Sequence, residues 1–227
     1  MKITAVLPAF NAAKTLRKTY DAIPKQAVHE IILVDDASTD TTVNEASRIS
    51  GLIVVVHDKN KGYGGNQKTC YDKALARGAD IVIMIHPDFQ YDPSYVPPML
   101  EPIITNQADF VLGSRFLQND PRASGMVWWR YWGNRFLTAA QNHMLKLKLS
   151  ECHSGYRTYS RELLEKIPYH SFSDDFVFDS EMLKAIAKAR FRIAEVPIPT
   201  RYAQDSSSLG FAPSIRYGLA TLRTLIG

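Results

Sequence analysis

Five runs of consecutive apolar residues recur along the first half of the chain, and each ends in polar residues: ITAVLP (3–8), EIILVDD (30–36), LIVVVHD (52–58), DIVIMIH (80–86) and ADFVLGS (108–114). Successive side chains of a strand point to opposite faces, so a strand with one wet face alternates apolar and polar residues. These runs do not alternate, and they therefore call for cover on both faces. Between them, residues 12–22, 41–49, 65–77 and 94–104 read as helices. Strand-helix alternation of this kind predicts an α/β fold, a mostly parallel central sheet with helices on both faces. Such sheets bind ligands in the crevice beyond the carboxyl ends of their strands. The residues that follow the runs are PAFN, DDASTD, DKNKGYGGN, HPDFQ and GSRF. Carboxylates, glycines, an amide, a lysine and an arginine make a lining suited to a phosphorylated ligand.

Composition narrows the class. A chain of 227 residues with 45% hydrophobic and 22% charged residues has enough apolar content for one substantial core. No run approaches the ~18 to 20 apolar residues of a membrane span, and the apolar part of MKITAVLPAFN is short for a signal peptide. A soluble, cytoplasmic protein is expected. Cys70 and Cys152 lie far apart and form no C-x-x-C, which suits reduced thiols rather than a disulfide framework or a zinc knuckle. The formal charge of +4 favours anionic partners such as phosphates, nucleotides or lipid headgroups. No long charge block is present, and no nucleic-acid partner is expected.

The individual strand ends leave alternatives open. Asp35 and Asp36 are adjacent carboxylates at a strand end and need donors, which a nucleotide base or ribose would supply. Asp40 fits a helix cap equally well. The segment NKGYGGNQKT (60–69) precedes a helix, so its amides would suit a phosphate. It matches neither a dinucleotide fingerprint nor a P-loop. His86, Asp88 and Gln90 are spaced by two, and in extended backbone all three point the same way. Such a line would hold one divalent cation, with imidazole better tolerated by manganese than by magnesium. Alternatively, His86 hydrogen-bonds a neighbouring loop. Asp179 and Glu181 in FVFDSEML read either as a base for a hydroxyl acceptor or as the acidic start of a helix.

The ordered set VLPAFNAAKTL, ILVDDASTDTT, NKGYGGNQKT, HPDFQYDP, VLGSRF, SGYRTYSREL and EVPIPTRY resembles the family 2 glycosyltransferases. Within them it looks most like the dolichyl-phosphate mannose synthase and polyprenyl-phosphate glycosyltransferase branch, over roughly residues 3–210. The resemblance implies a glycosyltransferase-A fold, a nucleotide-sugar donor, a divalent metal (Mn or Mg) and a polyprenyl-phosphate or glycan acceptor. It puts Pro8, Asp35, Asp36 and Asn66 at donor nucleotide positions, and Asp88 and Gln90, with His86 beside them, at metal and diphosphate positions. Arg115, Arg130 and Arg157 fall at positions that hold phosphate groups. Asp88, Arg115 and Arg157 are the expected catalytic set.

Two departures stand out. The family's aspartate-any-aspartate motif reads His86-Pro87-Asp88 here, one negative charge fewer. Residues 201–210, RYAQDSSSLG, stand where many relatives carry a basic residue. The expected division is a catalytic domain over 1–210 and an amphipathic helix over 211–227. Ile215, Leu219, Leu222 and Ile226 form one apolar face of that helix, with Arg216 and Arg223 beside it. Packing on the protein is the first reading of this face, and a peripheral membrane contact is the second.

Overall fold

The computed structural model describes residues 1–118, 120–200 and 210–226, so the expectation placed on 201–209 lies outside the described residues. Five strands stand where the apolar runs predict them: β1 (Ile3–Ala9), β2 (Glu30–Asp35), β3 (Leu52–Val56), β4 (Ile81–Met84) and β5 (Phe110–Ser114). Four helices follow the expected pattern: α1 (Leu16–Ala22), α2 (Thr42–Ser47), α3 (Gly62–Ala76) and α4 (Val96–Ile104). The second half adds α5 (Trp128–Leu145), β6 (Arg157–Ser160), α6 (Arg161–Lys166), α7 (Phe178–Lys188), β7 (Ile193–Pro197) and α8 (Phe211–Ile226).

The strands form one sheet in the order β3-β2-β1-β4-β6-β5-β7. β1 pairs in parallel with β2 and β4, β2 with β3, and β5 with β7, whereas β6 runs antiparallel between β4 and β5. The apolar runs of β1, β2, β4 and β5 have the cause expected of them, whereas β3 lies at the sheet edge, only half-buried and with Val56 exposed. On β1, β2 and β4 the odd residues Ala5, Leu7, Ile31, Leu33, Ile81 and Ile83 pack with α1, α2 and α4. The even residues Val6, Ile32, Val34, Val82 and Met84 pack with α3, α6 and α7. Chain direction between β1 and its two parallel neighbours leaves a crevice at the strands' carboxyl ends, where β4 delivers residues 85–92.

Helix α3 starts three residues earlier than expected, inside the glycines. Those glycines answer to close packing. A Cβ on Gly64 would lie 2.5 Å from the Ser173 carbonyl oxygen and 2.8 Å from Phe178 Cβ, and one on Gly62 would lie 2.5 Å from the Asp174 carbonyl oxygen. At the other end of the chain α8 packs on α5 and α7. Thr221 and Leu225 form its buried side, while Ile215 and Leu219 are half exposed. Of the face expected to pack on the protein, Ile215 and Leu219 are therefore open, because α8 turns its small and hydroxyl-bearing side (Tyr217, Gly218, Thr221) inward.

These surroundings fix opposite signs for two substitutions. Ala is favoured over Gly in a helix interior, so Gly133→Ala in α5, where a new Cβ meets nothing within 4 Å, is expected to stabilise by about 0.5–1 kcal/mol. Gly64→Ala forces a methyl against unyielding backbone and is expected to destabilise by about 1–3 kcal/mol. Urea unfolding of both variants checks the pair, and a stabilised Gly64→Ala would contradict the packing described.

Candidate active site

Two cavities meet beyond the sheet. A polar one of about 160 Å³ lies past the end of β4, walled by Tyr63, His86, Asp88, Gly155, Phe176 and Asp179. An open groove of about 540 Å³ runs between α5 and α8, with Met126, Trp129, Leu137, Leu219 and Leu222 on its apolar walls and Arg115 and Arg130 beside them. Gln90, Tyr91, His153 and Tyr217 belong to both.

His86, Asp88 and Gln90 share the polar cavity, although not by an extended backbone. The strand ends at Met84, Phe89 takes a left-handed φ of 56°, and the Gln90 amide donates to Asp88 Oδ1 at 3.0 Å. A tight turn brings the side chains together in place of a strand, at the strain of a bulky residue with positive φ. Lys18 Nζ covers the Phe89 ring at 4.0 Å from its centroid. His86 stacks on Tyr63 with centroids 5.5 Å apart, and its Nε2 lies 3.3 Å from the Tyr63 hydroxyl. Gly155 closes the other side: a Cβ there would fall 2.6 Å from His86 Nε2. Burial lowers the His86 pKa against the opposing pull of Asp88, so the ring is neutral near pH 7.

Among the described residues no three His, Cys, Asp or Glu side chains are grouped closely enough to cage a metal ion. Asp88 and Gln90 bring a carboxylate and an amide to the polar cavity, and His86 Nε2 is within reach of Tyr63.

The residues expected at the donor nucleotide lie on neither wall. Pro8 is buried within β1. Asp35, fully buried, accepts from the Ser38 amide at 2.9 Å and from its hydroxyl. Asp36 Oδ1 accepts from the Lys61 amide at 2.8 Å and faces His57 Nδ1 at 2.7 Å, and its Oδ2 accepts from the Gly62 amide at 3.0 Å. Gly64 and Gly65 donate to the Asp174 carbonyl. The α3 N-terminus that would suit a phosphate is thus bonded within the protein. Asn66 donates from its amide to the carbonyls of Val34 and Ala9, tying β2 to β1. Asp40 is not the N-cap of α2, which is Thr41; it stands one residue before it and accepts from the amides of Thr42 and Ala13.

The three arginines separate. Arg130 stands on the groove beside Trp129, 5.0 Å from its ring centroid. Arg115, also on the groove, is clasped by Glu151: Nε donates to both carboxylate oxygens at 2.8 and 3.0 Å, and the Arg115 amide adds a bond of 2.9 Å. Burial pushes the Glu151 carboxyl up, but the Arg115 guanidinium outweighs it and the pKa ends below the usual range. Arg157 is fully buried away from both cavities. It donates to the carbonyls of Ser154 (2.8 Å), Cys152 (3.2 Å) and Asp179 (3.0 Å), with the Asp179 carboxylate 3.4 Å away. Asp179 also accepts from Tyr63 at 2.9 Å and Gln67 at 3.3 Å. Glu181 accepts from the Ser173 amide and hydroxyl and is on neither wall.

Sequence reasoning missed Tyr63, Glu151, His153 and Tyr217. The segment SECHSGYR carried the signal for two of them, a carboxylate and an imidazole beside the motif arginine. His153 Nδ1 lies 2.8 Å from the Tyr217 hydroxyl of α8, and burial pushes its pKa down to about 4.

This arrangement, a mostly parallel sheet with an acidic turn after β4 and a neighbouring apolar groove, defines a glycosyltransferase of the A type. The chain belongs to glycosyl transferase family 2, whose model matches residues 4–168. It is a nucleotide-sugar-dependent glycosyltransferase. It is 30% identical over 212 residues to the undecaprenyl-phosphate mannosyltransferase of Micrococcus luteus, covering 87% of this chain and 83% of that protein. It is 27% identical over 224 residues to the UDP-N-acetylglucosamine–dolichyl-phosphate N-acetylglucosaminyltransferase of Methanococcus voltae, covering 92% and 89%. Among solved structures, glucosyl-3-phosphoglycerate synthase of Mycobacterium tuberculosis, in complex with Mn²⁺, UDP and glucosyl-3-phosphoglycerate, superposes with a TM-score of 0.76 at 25% identity, covering 99% of this chain and 78% of that one.

The neutral, half-buried His153, whose pKa burial lowers, predicts an acid-sensitive fold. An unfolded chain protonates this ring near pH ~6.5, whereas the native protein resists until about 4. In that interval only the unfolded state binds the extra proton, so the stabilisation is complete above the unfolded pKa and is lost as pH falls toward the native one. His86, lowered by the same cause, acts with the same sign. The urea midpoint of wild type is expected to fall more steeply between pH 7 and about 4.5 than that of His153→Gln. Parallel curves would contradict the assignment.

Proposed function

We propose that the protein transfers a hexosyl unit from a nucleotide sugar to a polyprenyl phosphate at a membrane surface. The observation that carries this reading is the groove between α5 and α8, apolar along its walls, with Arg115 and Arg130 on its lining and joined to the Asp88 cavity at four shared residues. An isoprenoid chain suits the walls, and guanidinium groups suit phosphate oxygens. The relatives from M. luteus and M. voltae are named for undecaprenyl and dolichyl phosphate acceptors. A small polar acceptor such as the phosphoglycerate of the M. tuberculosis enzyme would leave this apolar surface unused.

A lipid phosphate is already anionic near neutral pH, its second pKa being ~6, so its attack on the anomeric carbon needs no protein base. That agrees with Asp179, held by Tyr63, Gln67 and Arg157, and with Glu181, turned to Ser173. A divalent metal, when bound, neutralises charge on the departing diphosphate. Asp88 and Gln90 are the residues that would hold it. Pro8, Asp35, Asp36 and Asn66 serve the donor by fixing the ends of β1 and β2 and the start of α3. Glu151 aims Arg115 along the groove, and Arg157 positions the loop that carries Glu151.

Purified protein offered radiolabelled UDP-glucose, UDP-N-acetylglucosamine or GDP-mannose is expected to form an organic-soluble product with undecaprenyl phosphate from one of them. Transfer to 3-phosphoglycerate alone would overturn the reading. Lysine keeps charge but loses the fork, so Arg130→Lys is expected to lower kcat/KM for the lipid phosphate about tenfold, roughly 1.4 kcal/mol.

The membrane contact rests on the same two helices. Trp128, Trp132 and Phe136 recur at four-residue spacing on α5 and are 73%, 63% and 63% exposed, and α8 adds Ile215 at 50% and Leu219 at 53%. The helices carry Arg130, Arg135, Arg216 and Arg223 and no acidic residue. Aromatic and apolar side chains with basic neighbours fit the interface of an anionic bilayer. None of the described helices is long and apolar enough to cross a membrane. Cosedimentation with phosphatidylglycerol vesicles is expected for wild type and weakened in Trp128→Ser/Trp132→Ser. Wild-type protein that stays in the supernatant would contradict the contact.

A further inference from the structure

His153 stands where the two cavities join, and no strand-end motif pointed to it. Its ring contributes to both walls together with Gln90, Tyr91 and Tyr217. One ring nitrogen is accounted for, since Nδ1 lies 2.8 Å from the Tyr217 hydroxyl, which itself lies 3.5 Å from Ser180 Oγ. The other is not. Nε2 is buried and has no hydrogen-bond partner among the described residues. A buried polar atom left unpaired is destabilising, and its retention calls for a partner supplied from elsewhere.

Position and chemistry together narrow that partner. The donor diphosphate belongs with Asp88 and Gln90 and the acceptor phosphate with Arg115 and Arg130, so the group that passes between them is the transferred sugar. The tautomer of His153 follows from whether Tyr217 donates to Nδ1 or accepts from it, and Nε2 is correspondingly an N–H or a lone pair. A phosphate oxygen satisfies only the first and a metal ion only the second. A sugar hydroxyl both donates and accepts, and it satisfies either. The ring itself is half-buried, but Nε2 carries no exposed surface. A hydroxyl reaches it only as the side chains over it yield to the sugar.

We infer that His153 Nε2 hydrogen-bonds a hydroxyl of the donor hexose and so selects and orients the transferred sugar, with Tyr217 of α8 holding the ring in place. The inference rests on the nucleotide-sugar reading above and extends it to a residue that binds neither diphosphate nor acceptor.

Calorimetric titration with Mn²⁺ present tests it, using UDP-glucose, UDP-N-acetylglucosamine and GDP-mannose alongside UDP and GDP. Wild type is expected to bind one nucleotide sugar more tightly than the matching nucleoside diphosphate. His153→Phe keeps an aromatic ring but removes both nitrogens, Nε2 and the Nδ1 that meets Tyr217, and it is expected to lose that sugar nucleotide about tenfold while keeping the nucleoside diphosphate. His153→Gln, whose amide both donates and accepts, is expected to recover part of the loss. If His153→Phe does not fold, the glutamine variant decides with its asparagine counterpart: the shorter amide loses sugar affinity and the longer keeps it. Equal loss of sugar nucleotide and nucleoside diphosphate would overturn the inference, as would unchanged sugar affinity in every variant. Wild-type protein that binds UDP or GDP but no nucleotide sugar would instead remove the functional reading itself.

Discussion

The guanidinium of Arg157 is fully buried, and its partners bring the site together. A buried charge persists only when it is paired and its hydrogen bonds are met. Here two carbonyls of the loop before β6, those of Cys152 and Ser154, and both the carbonyl and carboxylate of Asp179 surround it. That loop carries Glu151, which clasps Arg115, then His153 between the cavities, then Gly155 against His86. Asp179, held from behind by Arg157, receives the Tyr63 hydroxyl, and Tyr63 in turn stacks on His86. One cation in the core thus fixes parts of both cavity walls without touching either cavity.

A second constraint sits on the far side of the crevice. Asp36 draws the backbone of Lys61 and Gly62 toward β2, and the glycines that follow let the 173–174 segment lie directly on α3. His57 braces Asp36 and reaches Thr69 from its other nitrogen at 2.9 Å. The donors that the Asp36 carboxylate needs come from the Lys61 and Gly62 amides and His57, and the glycine run packs against residues 173 and 174. Asp36 thereby ties the end of β2 to the start of α3.

The first half of the fold was legible because parallel strands covered on both faces cannot hide in a sequence: β1, β2, β4 and β5 are apolar runs ended by polar residues. β6 was not legible for the opposite reason. Its four residues are RTYS, and Arg157 and Thr158 are buried by ion pairing and sheet pairing rather than by apolarity. In the site, residue types were readable and their partners were not. HPDFQ announced a polar, acidic segment after β4, but nothing in it told that Phe89 would adopt a positive φ and replace an extended line with a turn. Asp36 stands just past β2 and Asn66 within α3, and their bonds go mostly to backbone that folding brings near from other parts of the chain. The apolar face of α8 was visible as a face, and only the packing of Thr221 and Leu225 shows that it opens onto the groove.

Transfer to a lipid phosphate at this site requires the groove between α5 and α8 to receive the acceptor's isoprenoid chain. A short polyprenyl phosphate carrying a photoreactive diazirine on its isoprenoid end, irradiated with the protein and mapped by peptide mass spectrometry, tests it directly. Labelling is predicted on the groove walls, at Trp129, Leu137, Leu219 or Leu222, and it should be displaced by unlabelled undecaprenyl phosphate. Displaceable labelling confined to the surface groove of Pro97, Pro98 and Ile104 on the other side of the sheet, with none on α5 or α8, would contradict it.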